Sequence, residues 1–431
     1  ILTRSDPALS LSRLRSQHQL VEIRLSDLSF SANDIFVLFN KKLKLVLSID
    51  DVCSLETKTE GWIAGLQLAA LSMQGREDIS KFVRDLKGDN RYIMDYLMEE
   101  VLKIQTDEIK EFLLQTSILE QMSAPLCNTV LNRSDSQLIL ETLERDNMFV
   151  IPLDNERNWY RYHHLFADLL RQRLILQSDL QLERLHNKAC NWYDENSLPE
   201  LAIYHALEIR NFEQAIHILN RIVERMWEIG QHSAILRYGN LLPDGVIKSN
   251  QEFALYYSWI LITAGQVSEA EKYLDYAQKT IDSVNRGEGS AKNAIPDNKF
   301  LFGKLATTLA YMKLFSAPPE TIIKYSEIAI DNLSGANPLW TGWAWYFIGN
   351  AELVRGGVHK GLDAFNRALE YSRKTDNIYL IATITSAIVS RRCALGQYRD
   401  AFALCSDTLS LMSGRGFSGI AKVEWTFTGL F

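Results

Sequence analysis

The chain has 431 residues, a hydrophobic content of 47% and a net charge of −7 at pH 7. This length allows roughly two to four domains with sizeable cores. The acidic balance argues against a surface that grips nucleic acid by itself. No apolar run reaches the length of a membrane span, so we expect a cytoplasmic protein without a membrane partner. The five cysteines form no Cys-x-x-Cys pair, so they do not indicate a zinc or redox site.

Residues 1–30 carry the pattern strand, helix, strand. The second strand is predicted at Leu20–Arg24. Two short strands bury too little core to fold alone, so we expect the C-terminal part of a larger α/β domain. Arg4 follows the end of the first strand, where nucleotides bind in open α/β sheets. Arg4 is therefore a candidate contact for a terminal phosphate, and the alternative is a surface arginine.

Residues 31–105 are predicted to be helical throughout. Ser31 and Ser48 stand where helix N-caps are expected, and Asp51 completes a capping box with Ser48. The apolar run 44–51 ends in two acids, like a magnesium-binding strand of an ATPase. No phosphate loop precedes it, so we predict a loop and a helix start instead. The glycines of the next helix, which starts near Gly61, allow a neighbouring element to approach closely.

Residues 106–175 contain three helical patterns followed by a hairpin pattern. The helices are predicted near 107–116, 124–132 and 135–146, and two apolar runs flank a polar turn at 154–158. Three helices and a hairpin are typical of a winged helix. The third helix is acidic, which favours packing against protein over binding to DNA.

Two adjacent histidines, His163 and His164, lie between the aromatic run that starts at Trp159 and an amphipathic helical run. A helix N-terminus presents backbone N–H groups and favours bound anions such as a nucleotide phosphate. The alternative interpretation is that these histidines are capping or half-buried residues.

From about residue 176 the chain consists of helical pairs separated by small-residue turns. The turns recur with a spacing near 40 residues, apart from one longer interval that contains a polar stretch at 283–297. This pattern predicts a tetratricopeptide-like solenoid with a binding surface for a partner or effector. The densest aromatic group supplies the candidate effector contacts, and the alternative is that they fill the core: Trp340, Trp343, Tyr346 and Arg355.

Several of these segments together resemble the large ATP-binding LuxR-type (MalT-like) transcription regulators, which belong to the signal-transducing NTPases. The matches follow in a fixed order and comprise the sensor-arginine strand 1–7, the helical lid 59–69, the start of the winged helix 117–127 and its hairpin and following helix 149–166. Several matches in one order are more specific than any single motif.

The resemblance implies that ATP or ADP, with Mg²⁺ in the full-length protein, binds between the sheet, the lid and the winged helix. It assigns the nucleotide contacts to Arg4, to Gly61, Trp62 and Ile63 of the lid, and to His163 or His164. Ile63 stands where related lids carry proline, and His164 stands where relatives carry aspartate. Either imidazole remains open as the phosphate contact.

The resemblance also implies the domain organisation of a mainly α protein. Residues 1–30 would be a remnant of the nucleotide-binding α/β domain, 31–105 the helical lid, 106–175 the winged helix and 176–431 the helical-repeat sensor. No Gly-x-x-x-x-Gly-Lys-Ser/Thr loop occurs in the chain. We therefore expect a middle piece of a longer regulator whose phosphate loop and DNA-binding helix-turn-helix lie outside it.

The function that follows is a signal-responsive, ATP-dependent transcription regulator. Its helical repeats would receive an inducer, either a small molecule or a protein, and the protein would form homo-oligomers and bind DNA through a domain outside this chain. The piece itself carries no readable nucleophile or metal-ligand set, whereas slow ATP hydrolysis would reset the intact switch. The alternative is a helical-repeat interaction scaffold that binds no nucleotide.

Overall fold

The computed structural model describes residues 11–21, 23, 25–74, 76, 78–86, 90–177, 179–285, 299–333, 337–375 and 377–414. The chain divides into two units, Ile1–Arg210 and Asn211–Phe431. It is mainly α-helical. The two strands found in the described ranges pair with each other in one hairpin. None of the described helices combines the length and apolar composition that a membrane crossing needs.

The first unit is built from short helices. The described helices are α1 (Leu11–Ser16), α2 (Leu25–Leu28), α3 (Ala32–Phe36), α4 (Ile49–Thr59), α5 (Ile63–Met73), α6 (Ile79–Asp85), α7 (Arg91–Leu97), α8 (Asp107–Thr116), α9 (Ala124–Leu131), α10 (Ser136–Arg145), α11 (His164–Ile175), α12 (Asp179–Glu195) and α13 (Pro199–Glu208). The π-helical turns Val37–Lys42 and Met98–Leu102 extend α3 and α7.

Two capping boxes begin α3 and α4, and the sequence predicts both N-caps and the box at Ser48. Ser31 accepts a hydrogen bond from the backbone N–H of Asp34, and the Asp34 carboxylate accepts from the Ser31 N–H. Ser48 and Asp51 repeat the arrangement at the start of α4. Residues 44–48 form no strand, so the prediction of a loop leading into a capped helix is confirmed.

The strand prediction for Leu20–Arg24 is wrong for the residues that can be described. Residues 20, 21 and 23 belong to no strand, and the side chains of Val21 and Ile23 are 90% and 69% exposed. A strand needs a neighbour to pair its backbone groups, and none lies beside this segment in the described part of the chain. Arg4 lies outside the described residues.

The winged-helix prediction is confirmed, with helix bounds within one residue of those expected. Helices α8, α9 and α10 precede strands β1 (Val150–Pro152) and β2 (Tyr160–Tyr162), which pair antiparallel with Val150 opposite Tyr162. The Asp154 carboxylate closes the connecting turn by accepting from the N–H groups of Asn158 and Trp159, at 2.9 and 3.0 Å. Alternation along β2 buries both tyrosines and directs Arg161 to the opposite face.

The second unit consists of helical hairpins. Its described helices are α14 (Phe212–Glu228), α15 (His232–Leu241), α16 (Asp244–Ser249), α17 (Gln251–Thr263), α18 (Val267–Asn285), α19 (Lys299–Lys313), α20 (Pro319–Leu333), α21 (Pro338–Val354), α22 (Val358–Ser372), α23 (Ile378–Ala394) and α24 (Tyr398–Gly414). The pairs α17–α18, α19–α20, α21–α22 and α23–α24 pack as successive hairpins, which makes a solenoid-like arrangement.

The same local signals recur along the hairpins. The side chains of Asn250, Asn337 and Asn377 cap the first helices α17, α21 and α23. Gly265, Gly356 and Gly396 end the corresponding helices with φ near +80°, a conformation that favours glycine. Residues 314–318 connect α19 to α20. Most of the polar stretch at 283–297 lies outside the described residues.

Candidate functional site: the junction between lid and winged helix

Two sequence segments that were singled out separately meet in the first unit. One is the turn Thr59–Ile63, which connects α4 to α5. The other runs from Arg161 in β2 to His164 at the start of α11, about one hundred residues later in the chain. The contacts between these two segments are called the junction below.

The turn at the end of α4 depends on two successive left-handed residues. Glu60 has φ 50° and Gly61 has φ 71°. A Cβ atom added at Gly61 would lie 2.5 Å from the carbonyl oxygen of Phe30 and 2.7 Å from its nitrogen. The Phe30 N–H donates to the Gly61 carbonyl at 2.9 Å, so the close approach is itself a hydrogen-bonded contact. Only glycine satisfies both demands.

Glu60 is the centre of the polar contacts across the junction. Arg161 donates from Nη1 and Nη2 to the two oxygens of the Glu60 carboxylate at 2.8 and 2.7 Å, a bidentate geometry. The backbone N–H of His164 donates to Oε1 of the same carboxylate at 3.0 Å, and His164 Nδ1 lies 3.1 Å from it. Burial alone raises the pKa of Glu60, but the Arg161 hydrogen bonds and the nearby cationic groups outweigh burial and lower it.

His163 fixes the carbonyl end of α4. Its Nε2 lies 2.9 Å from the Thr59 carbonyl oxygen, so this nitrogen carries the proton and donates. The Trp62 N–H donates to the same carbonyl at 2.8 Å. The ring is only 4% exposed, and burial lowers its pKa. Its second nitrogen, Nδ1, is buried without a hydrogen-bond partner, which makes it the free polar atom of the junction.

Aromatic rings surround His163. The Trp62 and Phe149 rings each meet the imidazole edge to face, with centroids 5.9 and 5.6 Å away, and they meet one another at 5.1 Å. The Tyr96 ring lies with its centroid 5.6 Å from that of Trp62. Gly65 permits this fold-back of the indole, because a Cβ there would lie 2.5 Å from the Trp62 ring. The junction therefore combines a half-buried aromatic wall with a charged centre.

Comparisons with known proteins agree with the presence of a winged helix. Residues 98–182 match the family model of the MalT winged helix domain. The HTH-type transcriptional regulator MalT of Vibrio parahaemolyticus is 27% identical over 389 residues, and that of Yersinia pestis is 28% identical over 383 residues. Each alignment covers 88% of this chain. Over most of its length the chain is therefore MalT-like in sequence.

The MalT-like chain spans 40% of the length of these relatives. A solved structure shares the fold, a signal transduction ATPase with numerous domains that carries a tetratricopeptide repeat sensor, from Pyrococcus horikoshii. It aligns with a TM-score of 0.51 at 14% identity and covers 91% of this chain and 55% of its own. At this identity the likeness supports the fold alone.

The junction brings together five of the predicted nucleotide contacts, which are Gly61, Trp62, Ile63, His163 and His164. Gly61 and Trp62 shape the turn, and Ile63 begins α5 half-buried. The two histidines differ in environment, because His163 is buried whereas the His164 side chain is 58% exposed.

The sequence reasoning missed Glu60 and Arg161, which carry the charge of the junction. Each stands within a segment that carries the resemblance, but each looks like a solvated surface charge in isolation. The available signal was the alternation of β2, which places a lone arginine on the face opposite two buried tyrosines. Among the described residues, no group of three or more histidine, cysteine, aspartate or glutamate side chains is placed to hold a metal ion.

The predicted effector contacts of the MalT-like chain occupy different environments in the second unit. Trp340 and Trp343 are buried, with 0% and 6% exposure, among the rings of several helices. Tyr346 is half-buried against Phe365. Arg355 is exposed and pairs with Glu320 and Glu352.

Proposed function

We propose that this chain is the nucleotide-responsive and effector-responsive portion of a longer transcription regulator of the MalT type. The junction would hold the winged helix against the lid in the resting state. The helical repeats would receive the inducer, and a domain outside this chain would bind DNA in the cytoplasm after nucleotide exchange and homo-oligomer formation. The MalT relatives support the regulator class, and the junction supports the place of the switch.

The observation that carries the proposal is the unpartnered Nδ1 of His163 inside an otherwise satisfied junction. A buried nitrogen without a partner is costly and is expected to serve a ligand or a second state. The Nε2–H of His163 is occupied by the Thr59 carbonyl, so Nδ1 is the atom left for a phosphate oxygen. Trp62 and Ile63 would supply apolar contacts to the base. A bound nucleotide would supply the negative charge that this ring recognises.

This assignment has a consequence for protons. A neutral imidazole that donates from Nε2 presents a lone pair at Nδ1, which repels a phosphate oxygen. Contact therefore requires a second proton on His163. Burial opposes that proton, while the neighbouring Glu60 carboxylate favours it. We therefore expect nucleotide binding to be accompanied by proton uptake at His163.

The proposal is tested by ADP retention in the full-length regulator. His163→Ala is expected to weaken ADP binding by about tenfold or more, the effect of losing one charge-assisted hydrogen bond. His164→Ala is the matched control, because its side chain is mostly exposed, and it is expected to change the affinity by less than about threefold. Titration calorimetry in two buffers of different ionisation enthalpy would count the protons taken up.

The possible outcomes separate the competing functions. Unchanged ADP affinity in His163→Ala would remove His163 from the nucleotide site. Failure of the full-length protein to bind any adenine nucleotide would favour the interaction scaffold without nucleotide. A larger loss in His164→Ala than in His163→Ala would assign the phosphate contact to the exposed ring.

A further inference from the structure

One helix of the second unit contacts the first helices of four successive hairpins. Near its C-terminal end, α14 reaches α19 through Glu224 and Lys304, and it reaches α17 and α21 through Trp227, which meets Trp259 and stacks on Trp340. The Glu228 carbonyl accepts from the Asn377 side chain at the start of α23. The contacted face is therefore formed by α17, α19, α21 and α23 together.

These contacts indicate that the face curves around α14. The segment Glu224–Glu228 rises only about 6 Å along the helix axis, at about 1.5 Å per residue. Four flat-packed helices would extend over about 27 Å, at about 9 Å between neighbouring axes. One turn of helix reaches all four only where they curve around it. The end of α14 thus lies in a groove lined by the first helices of the hairpins.

The polar contact in this groove is an ion pair at its floor. Lys304 is 7% exposed and donates from Nζ to the Glu224 carboxylate at 2.7 Å and to the Tyr256 hydroxyl at 3.1 Å. Two further carboxylates lie close to this lysine. Burial raises the pKa of both Glu228 and Glu252, and Lys304 acts in the opposite direction. The lysine is therefore held in place by carboxylates, two of which, Glu224 and Glu228, belong to α14 itself.

The apolar contact is an aromatic stack with unused hydrogen-bond donors. The indoles of Trp227 and Trp340 stack with centroids 4.6 Å apart and planes 15° apart, and the Trp259 ring meets both edge to face. The indole N–H groups of Trp227, Trp340 and Trp343 are all buried without a hydrogen-bond partner. Each unpaired buried donor is unfavourable, so α14 is an imperfect occupant of the groove.

Removal of the α14 turn would leave a groove of defined chemistry. Its floor would present the Lys304 ammonium, the Tyr256 hydroxyl and the indole N–H groups of Trp340 and Trp343. These groups favour an acceptor such as a carboxylate. The face of the Trp340 indole that Trp227 covers would become exposed, and it would favour a flat aromatic ring. On α14 these two features are Glu224 and Trp227, which are three residues apart and thus neighbours on one helical face.

We propose that the C-terminal turn of α14 is an internal occupant of a peptide-binding groove, which a partner protein enters with a carboxylate and an aromatic ring about one helical turn apart. The partner segment displaces Glu224 and Trp227 and takes their contacts. This inference names a binding surface and a ligand class for the proposed effector role of the helical repeats. It rests on the proposed function only in giving that binding a regulatory purpose.

The test is binding in trans of a peptide that copies residues 219–229. The covalently attached turn competes at high effective concentration in the wild-type chain, so the peptide is expected to bind weakly there. In the chain carrying Glu224→Gln and Trp227→Ala, the internal competitor is weakened. The peptide is then expected to bind at least about tenfold more tightly, measured by titration calorimetry.

Two controls decide whether the contacts are the proposed ones. A peptide with the same two substitutions is expected not to bind, and Lys304→Met in the substituted chain is expected to abolish binding of the native peptide. Equal binding of the native peptide to the wild-type and substituted chains, or of both peptides to the substituted chain, would overturn the proposal.

Fold integrity and self-association are read from the same samples. If the double variant fails to fold, Glu224→Gln alone serves, because its side chain is already 36% exposed. Loss of cooperative unfolding in that single variant would also overturn the proposal, since a displaceable turn is not required for the fold. Dimer formation through exchange of α14, seen by light scattering, would mean that a second copy of this chain fills the groove in place of a partner protein. That result would overturn the proposal. None of these measurements involves a nucleotide. Their outcome is therefore independent of the ADP-binding test of the proposed function.

Discussion

The junction in the first unit and the aromatic groove in the second join distant parts of the chain by opposite means. The junction depends on a bidentate ion pair whose two residues are 101 positions apart, and it leaves one ring nitrogen unpaired. The groove depends on stacked indoles and leaves three N–H donors unpaired. Charged contacts need exact geometry, whereas apolar contacts depend mainly on buried area.

This difference indicates how each region would change state. A partly buried ion pair contributes modest net free energy, because the attraction offsets the cost of removing the charges from water. Opening the junction therefore exposes groups that water solvates well. Opening the groove exposes large aromatic surfaces, so it is expected to need a replacement ligand. The four predictions below test this contrast.

The largest effect is expected in the aromatic groove. Trp340→Ala removes a fully buried indole and should lower the free energy of unfolding by about 3–5 kcal/mol, measured by urea denaturation. Trp345→Ala on the same helix is the control, because Trp345 is only half-buried and contacts Arg367 at the surface. Similar losses in the two variants would show that the stack is not a special source of stability.

The next effect is expected at the turn of the junction. Gly61→Ala places a methyl group against the Phe30 backbone in a left-handed conformation and should cost about 2–4 kcal/mol from strain and overpacking. Gly230→Ala is the matched control in the second unit. It has a similar φ of +81° but nothing within 4 Å of the added Cβ, so only about 1 kcal/mol is expected. Equal costs would contradict the tight Phe30 contact.

The double-mutant cycle of Glu60→Gln and Arg161→Gln should give a coupling free energy of about 1–2 kcal/mol, since both side chains are mostly buried at 18% and 27% exposure. The exposed pair Arg373 and Asp407 in the second unit should give less than about 0.5 kcal/mol. A junction value as small as that of the exposed pair would mean that Glu60 and Arg161 do not hold the two segments together.

The smallest effect is expected from pH. Burial lowers the folded pKa of His163 below its ordinary value of 6.5. The unfolded chain takes up the proton first, so the stability contribution is present above pH 6.5 and declines as pH falls towards the folded pKa. Relative to His163→Gln, the wild type should lose unfolding free energy as the pH falls from 7.0 to 5.5. A difference that stays constant with pH would contradict the buried neutral ring.

The features that were predictable from the sequence are those encoded within a few residues. The caps at Ser31 and Ser48, the hairpin closed by Asp154 and the glycine turns of the repeats all follow from local chemistry. The strand predicted at 20–24 is not formed at the described residues 20, 21 and 23, because β propensity without a partner does not make a strand.

The long-range contacts were not predictable. Glu60 pairs with Arg161 and α14 enters the groove through single side chains, which leave no periodic signal in the sequence. The meeting of Gly61 and Trp62 with His163 was anticipated only because a family resemblance linked the two segments. The role of these residues in binding nucleotide stays a prediction.

The stacking of Trp227 on Trp340 has a practical consequence. Indoles that are shielded from water and donate no hydrogen bond emit fluorescence at short wavelength, and close neighbours exchange excitation energy. Departure of the α14 turn would hydrate one ring and separate the pair, which shifts the emission to the red and changes its anisotropy. The second unit therefore carries its own optical reporter of whether the groove is filled from within.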